Sequence, residues 1–130
     1  MAMTTRRNIL IVEDEEALSR MMQWQLAAAG YDVHGATHGH QALAYAAEHR
    51  PDLVILDLRL PDMDGYDVCR QLRKLYQPWT APILMLTAMD KPMDQLRGFA
   101  YGADAYMTKP YEETDLLRTI ALLFGEVITT

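Results

Sequence analysis

The chain has a single cysteine, no apolar run long enough to cross a bilayer and a shortage of positive charge, and each lack removes a class of function. Cys69, alone, closes no internal disulfide, and its apolar and basic neighbours read as the setting of a buried structural thiol rather than a reactive one. Nothing asks for an oxidising compartment. A membrane-spanning helix takes about 18 or more consecutive apolar residues, and no segment approaches that. Arg6 and Arg7 precede only the short run Ile9–Val12, which Glu13 ends abruptly, so no signal peptide is read there. These absences predict a soluble, cytoplasmic protein. Twelve Lys and Arg against 18 Asp and Glu give a net charge of −6, which leaves no electrostatic footprint for nucleic acid. No His/Cys spacing suits zinc, and His34, His38, His40 and His49 are expected to be exposed and without a role.

What is present is a chain that can bury a core. Apolar residues make up 50% of 130 positions, enough for one domain (residues 1–130, core about 8–125) that needs no staple. Short β-like runs alternate with helical stretches, the pattern of an α/β fold with a parallel sheet. Strands are expected at Asn8–Val12, Tyr31–Ala36, Leu53–Asp57, Pro82–Thr87 and Ala105–Thr108. Tyr31–Ala36 is the weakest and belongs near a sheet edge. Leu53–Asp57 is the clearest central strand, apolar on both faces ahead of Asp57, as a doubly covered strand must be. Helices are expected from about Glu15 to Ala29, with Gly30 as the C′ stop, and within Thr37–Arg50, closed by Pro51. Three more follow at Tyr66–Leu75, from an Asp90 N-cap to about Tyr101, and at Glu112–Phe124. The nine methionines read as core filler. Asp62, Asp64 and Gly65 fall out of register for a calcium loop, so Leu60–Gly65 reads as a tight turn.

Open parallel sheets bind ligands at the carboxyl ends of their strands. Glu13, Asp14 and Glu15 follow the first strand, Asp57 ends the third, Thr87 ends the fourth and Lys109 follows the fifth. The fold brings these groups to one edge. Carboxylates crowded there repel unless a hard cation with oxygen ligands neutralises them, and Mg²⁺ suits few carboxylates and several waters. A carboxylate also serves as a nucleophile that forms an aspartyl phosphate, and phosphoryl transfer needs a metal and a further cation. Asp57, Asp14, Glu13 and Lys109 supply those types, and the Thr87 hydroxyl can donate to a phosphoryl oxygen. Glu15 and Glu16 are better read as a solvated acidic helix start.

Four runs, ILIVEDE (9–15), LVILDLRLPDMDG (53–65), PILMLTA (82–88) and GADAYMTKP (102–110), occur in this order, and together they resemble the receiver domains of two-component response regulators. The resemblance implies a doubly wound, flavodoxin-like (βα)5 fold of strand order 2-1-3-4-5 with helices on both faces. It implies Asp57 as phosphoacceptor, Asp14 and Asp57 as direct Mg²⁺ ligands, Glu13 as a ligand through water and the Arg59 backbone carbonyl as another. Lys109 would pair with the phosphoryl group ahead of a cis Lys109–Pro110 bond. Thr87 and Tyr106 would form a switch pair altering the surface around the fourth helix, fifth strand and fifth helix. The implied partners are a histidine kinase or histidine phosphotransfer domain and a downstream protein or output domain. Such a domain catalyses its own phosphorylation and dephosphorylation but is not an enzyme on outside substrates.

The sequence departs from the family pattern in places. The acidic pair is Glu13–Asp14 rather than two aspartates. Arg97 and Asp104 fit a salt-bridged dimer across the fourth helix, fifth strand and fifth helix, but Ala100, Ala105, Thr119 and Ala121 do not, so a monomer or a differently built, weak dimer is expected. Arg59 and Met89 are long side chains beside the acceptor, which predicts a persistent phosphorylated state. A phosphatase of the haloacid-dehalogenase type needs a second Asp where Arg59 stands. A pseudo-receiver scaffold would lack the acceptor, an acidic ligand or the lysine, and none is missing here.

Overall fold

In a computed structural model that describes residues 6–75 and 81–126, strands and helices alternate along the described residues. The elements are β1 (Asn8–Val12), α1 (Glu16–Ala28), β2 (Asp32–Ala36), α2 (Gly39–His49), β3 (Leu53–Leu56), α3 (Gly65–Leu75), β4 (Ile83–Thr87), α4 (Pro92–Ala100), β5 (Ala105–Thr108) and α5 (Glu113–Leu123). All neighbouring strands pair in parallel, in the order β2-β1-β3-β4-β5. The expected strand order and the edge position of β2 are both met.

Side chains alternate across a strand, so runs apolar at every position feed two cores. Ile9, Ile11, Leu53, Ile55, Leu84 and Leu86 face one side, where Met22 and Leu26 of α1 and Leu116 and Ile120 of α5 cover them. Leu10, Val12, Val54, Leu56, Ile83 and Met85 face the other, against Ala42 and Ala46 of α2 and Val68, Cys69 and Leu72 of α3. Alanines on α2 let that helix lie close to the sheet. Both cores are built of residues almost wholly removed from solvent, which holds the strand ends in fixed relation to one another.

Helix ends follow the expected chemistry at some places and not at others. Gly30 takes φ +100°, with its N–H on the Ala27 carbonyl and the Tyr31 N–H on Leu26, a paired closure that needs a left-handed residue. The start of α4 differs from expectation. Its N-cap is Lys91, not Asp90, because the Asp94 carboxylate reaches back to accept from the Lys91 N–H at 3.1 Å. Met22 and Met85 are core residues, but Met21 and Met93 lie 46% and 70% exposed, which corrects the reading of methionine as filler throughout. Met1 and Met3 lie outside the described residues. Cys69 is fully buried and donates to the Tyr101 carbonyl; burial pushes its thiol up to about 11, as an inert structural residue requires. The four histidines are exposed as expected, though each has a side-chain neighbour: His34 and His49 stack on Tyr45, His38 meets the Thr37 hydroxyl, and His40 has the partner described below. Among the described residues no helix is long and apolar enough to cross a membrane.

Candidate functional site

Glu13, Asp14, Asp57 and Lys109 sit one or two residues past a strand and Thr87 ends one, so the sheet itself sets the spacing. The Glu13 N–H continues the β1–β2 ladder onto the Ala36 carbonyl at 2.9 Å, and the Asp57 N–H continues β3–β1 onto Val12 at 3.0 Å. Lys109 extends β5 through its N–H to the Thr87 carbonyl at 2.9 Å. The backbone ladder thereby delivers two carboxylates and an ammonium to the same end of β1, β3 and β5.

Those three groups form one buried charge cluster. Glu13 and Asp57 are 2% and 6% exposed, close to fully removed from water. The Lys109 ammonium donates to Asp57 Oδ2 at 2.9 Å and, by a shorter contact, to Glu13 Oε1. The other Asp57 oxygen accepts from the Arg59 N–H at 3.2 Å, and Glu13 Oε2 accepts from the Glu15 N–H at 3.1 Å. Burial raises Glu13 above the usual carboxylate range, and the Asp57 charge adds to this while Lys109 opposes it. Burial also works against the Lys109 ammonium, but its hydrogen bonds to Glu13 and Asp57 outweigh that and raise it. Lys109 is therefore a firmly held cation.

Asp14 completes the cluster from the solvent side. One oxygen from each of Glu13, Asp14 and Asp57 can be chosen so that all lie within 4.8 Å of one another. Oxygens opposite each other across Mg²⁺ stand about 4.2 Å apart at its usual bond length, so these donors need only a small closure to share one ion. The donor set is all oxygen, and three carboxyl groups gathered around one ammonium suit a hard divalent cation. The residues fit Mg²⁺.

Thr87 is fully buried at the end of β4, and its hydroxyl accepts from the Met89 N–H at 3.4 Å, a bond within its own loop. The Tyr106 hydroxyl donates to the carbonyl of the same Met89 at 2.7 Å. One peptide segment thus links the two residues that the resemblance pairs as a switch. Burial pushes the Tyr106 phenol up to about 12, so it is a donor at any ordinary pH. Gly98 makes room for the ring: a Cβ there would lie 3.0 Å from Tyr106 Cδ2. The Lys109–Pro110 bond is cis, as expected.

Two residues that sequence reasoning passed over hold the surrounding loops. Asp62, read only as part of a turn, accepts from the Gly39 N–H at 2.7 Å, the His40 N–H at 3.0 Å and His40 Nδ1 at 2.6 Å. Arg73 donates to the Gly102 and Ala81 carbonyls and pairs with Asp104 at 2.7 Å, so it clips α3 to the starts of β4 and β5. Neither has a local sequence signal, because the partners are 8 to 31 residues away.

Comparison with known proteins bears on what such a cluster does. The family model described as the response regulator receiver domain matches residues 9–121. The chain is 46% identical over 110 residues to the alkaline phosphatase synthesis transcriptional regulatory protein PhoP of Bacillus subtilis, covering 85% of this chain and 45% of that protein. It is 42% identical over 115 residues to the DNA-binding dual master transcriptional regulator RpaA of Synechocystis, covering 88% and 48% respectively. The chain thus spans about half the length of these curated relatives. Among solved structures, the chemotaxis protein CheY4 of Vibrio cholerae superposes with a TM-score of 0.87 at 34% identity, over 92% of this chain and 99% of that one.

Proposed function

The chain belongs to the response regulator receiver domain family, and from that premise we propose that it is a phosphoacceptor switch charged on Asp57. The observation that carries this reading is the Lys109 ammonium held between the Asp57 and Glu13 carboxylates, with Asp14 beside them, at the carboxyl edge of a parallel sheet. The phosphodonor is a phosphohistidine on a histidine kinase or phosphotransfer domain. A downstream protein or an output domain reads the result. The chain turns over no outside substrate and works in the cytoplasm.

In the transfer, an Asp57 carboxylate oxygen attacks phosphorus in line; the new P–O bond forms as the P–N bond to the donor imidazole breaks, and the imidazole leaves with the bond pair and takes up a proton. Asp14 and Asp57 would hold Mg²⁺ directly, with the Arg59 carbonyl beside them and Glu13 acting through water. When bound, the ion neutralises the carboxylates and the oxygens of the transferring group. Asp57 Oδ1 is oriented by the Arg59 N–H, and Oδ2 by Lys109. Lys109, released from Asp57 as that carboxylate becomes an acyl phosphate, pairs with a phosphoryl oxygen. The Thr87 hydroxyl turns to donate to another, which gives up its bond from the Met89 N–H. Since Tyr106 holds the Met89 carbonyl, that exchange alters the packing of α4, β5 and α5.

Intact mass after incubation with acetyl phosphate, with and without Mg²⁺, tests this against an Asp57→Asn control. The expected result is a Mg²⁺-dependent phosphate adduct on the wild type alone. An adduct that persists in Asp57→Asn would move the acceptor elsewhere.

A further inference from the structure

The loop from Leu58 to Asp64 leaves the acceptor, folds back and is gripped at both ends. At its base the Gly65 N–H donates to the Leu58 carbonyl at 2.9 Å, and any Cβ on Gly65 would lie 2.4 Å from Leu58 Cα. A bridge between Arg59 and Asp64 closes the stem. The far end has one polar anchor, the Asp62 carboxylate, which takes both leading N–H groups of α2 and the His40 ring. Met63 lies so close that a Cβ on Gly39 would sit 2.2 Å from its Cγ. The first residue before α2, His38, contributes no side-chain cap of its own. The cap of α2 is therefore lent by a segment 23 residues later.

This arrangement does more than end a helix. Arg59, three residues before Asp62, gives its N–H to Asp57 Oδ1, and its carbonyl is the expected metal ligand. The helix that holds Asp62 begins just after β2, whose last residue, Ala36, accepts from the Glu13 N–H. The loop is thereby tied at its tip to the helix after β2, whose end is hydrogen-bonded to the acidic pair that follows β1. We propose that Asp62 is a positioning residue for phosphorylation, holding the Arg59 main chain against the Asp57 carboxylate by bracing the loop on the N-terminus of α2. It touches neither donor nor metal. The inference rests on the receiver reading above.

The experiment separates positioning from plain stability. Mg²⁺ affinity is measured by calorimetric titration, and the Mg²⁺ dependence of adduct formation with acetyl phosphate by intact mass, on the full chain. Asp62→Ala is expected to weaken Mg²⁺ binding about tenfold, the low end for groups that orient metal ligands, and to slow phosphorylation at limiting Mg²⁺ with recovery at saturation. Asp62→Asn, which keeps one acceptor, should fall between. The double variant His38→Asp/Asp62→Ala gives α2 a cap of its own in place of the borrowed one; His38 already has the extended conformation of a cap residue. It should regain thermal stability and keep the weakened Mg²⁺ affinity. If the double variant regains both, or if Asp62→Ala loses only thermal stability, Asp62 is a helix cap and the proposal is overturned. A wild type that forms no adduct would instead overturn the receiver reading, an outcome told apart because it does not involve the variants.

Discussion

At the scale of single residues, the cluster is a balance that depends on Lys109. Its side chain is 18% exposed, and the two carboxylates it joins are nearly buried, so removing it leaves like charges facing each other out of water. Lys109→Met is expected to lower the unfolding free energy by about 2 kcal/mol, less than the ~3–5 kcal/mol of a fully buried broken pair, because Glu13 relieves part of the repulsion by binding a proton. Mg²⁺ should return much of that loss, since it supplies the missing positive charge. Urea unfolding with and without Mg²⁺ checks both; equal stability of variant and wild type in the absence of the ion would mean that the carboxylates are not opposed. This group was legible in the sequence because each member directly follows an apolar strand. What spacing left invisible was the direct link between Glu13 and Lys109, 96 residues apart, and the meeting of Thr87 and Tyr106 on the Met89 peptide.

At the scale of elements, α2 shows how a helix takes its start from elsewhere. The sequence around Thr37 to His40 carries no acidic cap, and the expected helix was bounded only as lying within Thr37–Arg50; it begins at Gly39, where Asp62 meets it. The backbone N–H of His40, first among the donors, holds the Asp62 carboxyl well below the usual carboxylate range. A folded-state value depressed in this way adds stability above the unfolded value of about 4, and that stability fades as pH falls below it. The gap in thermal midpoint between wild type and Asp62→Ala should therefore be full near pH 6 and narrow progressively below about pH 4. A gap that stays constant down to pH 3 would mean that the carboxylate charge has no part in the cap. The strands were read more faithfully than the helix starts, since a doubly covered strand announces itself in consecutive residues, as Leu53 to Leu56 do. A cap depends on one side chain, and at α4 the choice between Asp90 and Lys91 turned on Asp94 reaching back.

At the scale of the whole molecule, the two charges suited to a salt-bridged pairing of copies already have partners within the chain. Arg97 lies over the Tyr66 ring at 4.6 Å from its centroid, and Asp104 is held by Arg73 at 2.7 Å and by the Ile83 N–H at 2.8 Å. Pairing across an interface would first have to break those contacts. Light scattering of the phosphorylated protein is expected to give a mass that Arg97→Ala does not change; a doubling on phosphorylation that disappears in Arg97→Ala would overturn this.

The ion pair from Lys109 spans 52 residues to Asp57 and 96 to Glu13. During synthesis on the ribosome, the acidic side chains therefore emerge long before their counter-charge, and the cluster cannot close until residue 109 has cleared the exit tunnel. A chain released before residue 109, or nicked between residues 57 and 109 so that its pieces part, carries the acids without the lysine. The same bond that orders the carboxylates is thus a mark of a finished chain.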